Sequence, residues 1–125
     1  MTHEIVSENL PHPKFVYSQA VKAGNLVFVA GQAGVNFATG YLAEDFLTQA
    51  RQAFENVKLV VEAAGTTMDK VIKTTIWLCN AANFDALNKL YAEYFPVNPP
   101  ARSTPVVALP KDNLMISIEV VAVIN

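Results

Sequence analysis

The sequence predicts an α+β fold: a sheet of five strands, in the order ββαβαββ, with two helices covering one of its faces. Three observations carry this. First, two stretches, 46–64 and 84–95, repeat apolar residues at the three- and four-residue spacing of a helix. Second, short β-branched and aromatic runs flank them, bounded by Gly, Pro, Asn and Asp, the pattern of strands and turns. Third, the last run, Leu114 to Ile124, has two faces of different character. Leu114, Ile116, Ile118, Val120 and Ala122 share one face; Met115, Ser117, Glu119, Val121 and Val123 share the other. Two helices can cover one face of such a sheet but not both. The mixed second face is too apolar for open solvent and too polar for a helix-packed core, so it suits an interface between sheets.

The elements follow in order. Residues 1–14 are polar, carry Pro11 and Pro13, and read as an arm or edge segment. From Phe15 the pattern changes: Tyr17, Gln19 and Val21 alternate with Val16, Ser18 and Ala20, a strand signal. Ala23, Gly24 and Asn25 make a hairpin turn, and Leu26 to Ala30 returns as a buried strand that Gly31 closes. A loop spans Gly34 to Gly40. Glu44 and Asp45 bring acidic charge to the first turn of a helix, where the dipole favours it. Phe46, Ala50, Ala53, Phe54, Val57, Val60, Val61 and Ala64 form its stripe, and Gly65 follows as its terminating residue. Val71 to Cys79 is a third strand. Asn83 caps a second helix with Phe84, Leu87, Tyr91 and Phe95 on one side, and Pro96 stops it. Ala101 to Ala108 is the fourth strand, the LPKDN segment a turn, and Leu114 to Ile124 the fifth.

At 125 residues the chain is expected to be a single domain, 1–125, with a substantial core. Only 16% of it is charged, against about 25% in an average soluble domain, which predicts surface hidden against copies of itself. No apolar run approaches the roughly 18 residues of a membrane helix, so no membrane partner is expected. The net charge of −2 disfavours nucleic acid as a partner. One cysteine, Cys79, excludes an intrachain disulfide framework, and no apolar leader is visible, so the expected compartment is the cytoplasm. His3 and His12 lie in the N-terminal arm, and no Cys/His spacing suggests a metal cage.

Two charges stand out. Arg102 follows Pro99 and Pro100, which force an extended or turning backbone, and sits at the mouth of a strand. Its guanidinium presents a planar fork of donors matched to a carboxylate or phosphate. Glu119 sits in the middle of an apolar run. The two either face each other across neighbouring strands as a buried ion pair, or serve an interface cleft, Arg102 holding an anion and Glu119 handling water or protons; the readings are compatible. Tyr17, Ser18 and Gln19 read as strand surface, Gly31 and Gln32 as a strand end open to close approach, and Asn88 as a polar neighbour of the core. Cys79 reads as a packed strand residue, and Trp77 with the other aromatics as core. No phosphate-cradling loop or nucleophile elbow is present.

Taken together, YSQAV at 17–21, AGQ at 30–32, FENVK at 54–58, AAG at 63–65, FDALNKLYAEYF at 84–95, PPARST at 99–104, LPK at 109–111 and ISIEVVAV at 116–123 resemble the reactive-intermediate-deaminase (Rid, YjgF-type) family, and its RidA branch in particular. The resemblance runs from about Pro13 to Ile124. It implies a chorismate-mutase-like fold: a five- to six-stranded mixed sheet in a homotrimer with a central β-barrel, helices outside and active sites at the subunit interfaces. It also implies hydrolysis of 2-imino acids, 2-iminobutanoate and 2-iminopropanoate, to 2-oxo acids and ammonia without a cofactor. By the same resemblance Arg102 is the carboxylate-binding arginine, Glu119 the glutamate near the attacking water and Tyr17 a cleft-wall tyrosine. Gly31, Asn88 and Thr104 fall on substrate-binding positions. Three places depart from the family pattern and bear on substrate range: Phe15-Val16 stands where Gly-Pro is usual, Ala30 where a hydroxyl is common, and Thr104 where cysteine is frequent.

Two other functions compete with an imine deaminase. One is a binding or regulatory module that holds a small carboxylate without turnover. The other is an RNA-acting translation inhibitor or endoribonuclease, as relatives have been described, which the acidic balance disfavours.

Overall fold

The computed structural model describes residues 3–124. The strands are β1 (Glu4–Val6), β2 (Ala20–Ala23), β3 (Leu26–Ala33), β4 (Val71–Leu78), β5 (Ala101–Ser103) and β6 (Ile116–Val123); the helices are α1 (Phe46–Ala63) and α2 (Phe84–Tyr94). They build one mixed sheet in the order β1-β2-β3-β6-β4-β5. Only β4 and β5 run parallel. The last strand of the chain is thus central, paired antiparallel to β3 on one side and to β4 on the other.

The alternation of β6 is realised as expected: Ile116, Ile118, Val120 and Ala122 are buried, while Ser117, Glu119, Val121 and Val123 are half-exposed. Val27, Val29, Ile76 and Leu78 join the buried side, against Ala50, Phe54, Val57 and Val61 of α1 and Leu87 and Tyr91 of α2. Each such large side chain removed from water contributes about 1.5–3 kcal/mol. Both helices therefore lie on one face. The other face of the sheet, with Phe28 46% exposed, has no layer over it among the described residues.

Helix α1 starts and stops for local reasons. The Asp45 carboxylate accepts from the Thr48 N–H at 3.0 Å. Asp45 is therefore the N-cap rather than a first-turn residue, because its backbone is extended (φ −90°, ψ 148°). At the other end Gly65 takes φ +91°, and the N–H groups of Gly65 and Thr66 bond back to the carbonyls of Glu62 and Val61. Two buried amides fasten the helix to its surroundings. Asn56 Nδ2 donates to the carbonyls of Ala33 (2.9 Å) and Val35 (2.8 Å). Gln49 Nε2 donates to those of Ala43 and Asn113, and its Oε1 accepts from the Met115 N–H. Gly34 allows this close approach: a Cβ there would fall on the Gln49 carbonyl and 2.7 Å from Gln49 Cγ. Gly34→Ala is expected to cost about 1–3 kcal/mol, read as a lower denaturant midpoint at constant slope; an unchanged midpoint would mean the loop relaxes freely away from α1.

The N-terminal segment, read as an arm or edge segment, supplies an edge strand, β1, with Glu4, Ile5 and Val6 opposite Lys22, Val21 and Ala20. Four expectations need correction. The strand expected from Phe15 begins only at Ala20. Residues 15–19 lie beyond the end of β1 and beside the β3 bulge, where the Gln19 carbonyl still accepts from the Ala30 N–H at 2.9 Å but the Tyr17 N–H turns back to the Phe15 carbonyl at 2.9 Å. Gly31 does not close β3, which runs on to Ala33 through a bulge between Val29 and Gln32. The strand expected over 101–108 ends at Ser103, because Pro105 has no N–H to give. The chain still follows β4: Leu78 N–H donates to the Pro105 carbonyl and Val107 N–H to that of Leu78. Finally, Asn83 makes no side-chain cap on α2, which continues a 3₁₀ turn over Ala81–Asn83 capped by Asn80.

Candidate active site

Arg102 stands opposite Thr74 at the parallel β4–β5 edge, and Thr74 is on the helix-covered face. Its side chain accordingly lies over α2. Nη2 donates to Asn88 Oδ1 at 2.8 Å, and the guanidinium carbon sits 4.8 Å from the centre of the Tyr91 ring and 5.6 Å from that of Phe84. Phe84, Asn88 and Tyr91 are three or four residues apart on α2 and so share one side of it. The Tyr91 hydroxyl in turn shares a 2.8 Å hydrogen bond with Thr74 Oγ1. Burial raises the Tyr91 pKa, against the pull of the Thr74 bond and the Arg102 charge, so the ring is a neutral platform. A guanidinium has five N–H donors, and Asn88 is its one hydrogen-bond partner among the described residues. Arg102 is thus oriented yet largely unspent, which is the state an anion clamp needs. Asn88, read from sequence as a polar neighbour of the core, is the group that orients it.

Glu119 is on the open face, opposite Thr75. Trp77, expected in the core, is also on this face, and its Nε1–H donates to Glu119 Oε1 at 3.1 Å. The misreading was avoidable. Within VIKTTIWL, Thr74, Ile76 and Leu78 are buried while Lys73, Thr75 and Trp77 alternate with them on the other side. Glu119, Lys73, Thr75 and Phe28 line a shallow hollow of about 130 Å³. Lys73 Nζ is drawn to the sheet edge, donating to Ser103 Oγ at 2.9 Å and to the Thr74 carbonyl at 3.2 Å. Across from Glu119 the β3 bulge sets Ala30 and Gly31 against this one residue. A Cβ on Gly31 would come within 2.7 Å of Ser117 Oγ, so only glycine leaves the backbone this close.

The expected buried pair between Arg102 and Glu119 does not form. Strand β4 separates their strands, and the two side chains leave opposite faces of the sheet. Among the described residues the only salt bridge joins Arg51 to Glu93, at 3.2 Å and exposed. Tyr17 is farther still. It is 52% exposed and lines a groove of about 610 Å³ between residues 5 and 19, at the β1–β2 edge of the sheet. Gln19 and Gln32, missed as a pair, brace that groove: Gln32 Nε2 donates to Gln19 Oε1 at 2.9 Å, and Gln19 Nε2 reaches the Pro11 carbonyl. Thr104 follows β5, half-buried, beside Arg102. The six predicted residues thus fall into separate groups within one chain: Arg102, Asn88 and Thr104 at one edge, Glu119 and Gly31 on the open face, Tyr17 at the far edge. Among the described residues no cluster of His, Cys, Asp and Glu could hold a metal ion. None of the described helices is long and apolar enough to cross a membrane.

An open-faced mixed sheet backed by two helices is the fold of a known group of solved proteins. The crystal structure of E. coli TdcF with bound serine superposes with a TM-score of 0.90 at 32% identity, over 98% of this chain and 99% of that one. Residues 7–124 match the family model described as endoribonuclease L-PSP. A RutC family protein of Pyrococcus horikoshii is 44% identical over 124 residues, 98% of each chain. The 2-iminobutanoate/2-iminopropanoate deaminase of Salmonella typhimurium is 42% identical over 127 residues, again 98% of each. The chain belongs to the YjgF/Rid family.

Proposed function

We propose that this chain is an imine hydrolase that converts 2-imino acids, 2-iminopropanoate and 2-iminobutanoate among them, to 2-oxo acids and ammonia, at clefts between the subunits of a homotrimer. The observation that carries this is the oriented, mostly unengaged guanidinium of Arg102, fixed by Asn88 and the Tyr91 ring. The deaminase relatives and the serine held by TdcF, itself a small amino acid with a carboxylate, support the substrate class.

The chemistry asks little of the protein. A protonated 2-imino acid is already electrophilic at C2. Arg102 binds the carboxylate through two N–H donors and so fixes C2 in space. Glu119 accepts a proton as a water oxygen bonds to C2, and the C=N double bond becomes a C–N single bond in a tetrahedral carbinolamine. That proton is returned to nitrogen. Glu119 then takes the hydroxyl proton as the C–N bond breaks, so the C–O bond becomes the C=O of the 2-oxo acid. Ammonia leaves, and the proton passes from Glu119 to ammonia or solvent. Carbon changes no oxidation state, so the reaction asks for no redox cofactor. Tyr17 walls the cleft, and the backbones at Gly31 and Thr104 bound it.

The same geometry supports the assembly. Arg102 lies at the edge opposite Tyr17 and on the face opposite Glu119. A neighbouring copy that sets its Tyr17 edge and open face against the Arg102 edge of this one would bring Arg102 of one subunit to Glu119 and Tyr17 of the next. The half-exposed Ser117, Val121 and Val123 with the exposed Phe28 then become the inner wall of a barrel. Sedimentation over a wide dilution range should give a trimer. Ser117→Arg should dissociate or misfold it, since it inserts an unpaired charge at the contact. An S117R variant that remains trimeric would mean that another surface makes the assembly.

The functional test couples the pure protein to a threonine or serine dehydratase and follows loss of the released imine. Accelerated loss is expected. A specific observation, the serine bound by TdcF, favours a second reading, a carboxylate-binding module without turnover. Stabilisation by small carboxylates with no acceleration of imine loss would establish that reading in place of the first.

A further inference from the structure

The hydrogen bond from Trp77 to Glu119 is not required by the fold. Trp77 stands opposite Ser117 and Thr75 opposite Glu119, so indole and carboxylate are diagonal neighbours, a separation that long aromatic side chains span. A phenylalanine would fill the same half-buried surface without the N–H. The indole instead uses its one donor on Glu119 Oε1 at 3.1 Å. Glu119 Oε2 has no hydrogen-bond partner among the described residues, and the other charge lining the hollow, Lys73, is bonded to Ser103 and the Thr74 carbonyl. Arg102 leaves the opposite face of the sheet and gives Glu119 no support within the chain.

We propose that Trp77 is a positioning residue for Glu119, its indole N–H fixing one carboxylate oxygen and so presenting the other to the attacking water. The proposal rests on the imine-hydrolase reading and adds to it a residue that acts only through Glu119. A carboxylate held at one oxygen loses its freedom to rotate away from the water it must deprotonate, and small misplacements of such a group cost rate steeply. The role predicts a loss in turnover rather than in substrate binding, because Trp77 has no part in holding the substrate carboxylate.

Trp77→Phe keeps the aromatic bulk and removes the donor. It should lower kcat roughly 10-fold with KM within about twofold, and leave assembly and thermal midpoint near the parent's. In a Glu119→Gln background the same change should have little further effect on kcat, since its target is already disabled. The chain has one tryptophan, so its indole N–H gives a single proton resonance that reports the contact without any assay. That resonance should move upfield in Glu119→Gln, where a neutral amide oxygen replaces the stronger carboxylate acceptor. The outcomes separate cleanly. An inert parent overturns the hydrolase reading. An active parent with an equally active Trp77→Phe, an equal kcat loss in both backgrounds, or an unmoved indole resonance overturns the role of Trp77 alone.

Discussion

If the chain hydrolyses 2-imino acids as proposed, Glu119→Gln is expected to lower kcat by about 100-fold or more, the scale of a lost general base, with KM changed by no more than a few-fold. The substitution keeps the shape of the side chain and an oxygen for Trp77 to hold, and removes the charge and the proton acceptor. It should leave the fold intact, because Glu119 neutralises no cation among the described residues: Lys73 is bonded elsewhere and Arg102 is on the other face. A large loss of thermal stability parallel to the loss of rate would mean that Glu119 is a structural partner of a charge across the subunit interface. Unchanged kcat would remove Glu119 from the chemistry.

What the sequence made legible was local. The stripe Ala50, Ala53, Phe54, Val57, Val60 and Val61 reports helix α1 because burial imposes the period, and Gly65 marks its end because only a residue tolerant of φ +91° fits there. The division of β6 into Ile116, Ile118, Val120 and Ala122 against Ser117, Glu119, Val121 and Val123 was equally plain, since each strand face has one environment. Where two residues stand across strands was not legible. The chain gives no local sign that its last strand enters the middle of the sheet, or that β4 comes between β6 and β5. The supposed Arg102–Glu119 pair failed on that single non-local fact. Residues 15–19 failed for a related reason: a strand needs neighbours in register, β1 ends too soon to be one, and β3 bulges between Val29 and Gln32 just where it would be the other.

The site was half legible. Arg102 announces itself through the two prolines before it, and its chemistry follows from the guanidinium alone. Asn88 was named as a polar neighbour of the core that the family resemblance sets at the substrate, without the contact to Arg102. Trp77 was named as part of the core and stands on the open face instead. Asn88 orients Arg102 because three- and four-residue spacing on α2 aligns it with Phe84 and Tyr91 beneath the same side chain. Trp77 could have been assigned to the open face by counting in twos from Thr75. No count within one chain would bring Tyr17 to Arg102, because the sheet itself holds them apart.

Arg102→Lys separates binding by geometry from binding by charge. Lysine keeps the positive charge but loses the planar fork that meets a carboxylate with two parallel bonds. It also loses the flat face that lies 4.8 Å from the Tyr91 ring centre, and with it the register in which Asn88 holds the group at 2.8 Å. The expected cost is about 1.5–3 kcal/mol of transition-state stabilisation, the range of a hydrogen bond to a charged group. That is roughly a 10- to 150-fold drop in kcat/KM for 2-iminopropanoate or 2-iminobutanoate. Arg102→Ala should fall below the lysine variant, having neither fork nor charge. Both should remain folded and keep the parent's assembly, since Arg102 is half-exposed on the short edge strand β5 and no carboxylate among the described residues is left unpaired by its removal. The measurement is imine loss in the dehydratase-coupled reaction, with circular dichroism and sedimentation to check fold and assembly. A lysine variant as active as the parent would show that a point charge is enough, and the fork held by Asn88 over Tyr91 would then be packing rather than recognition.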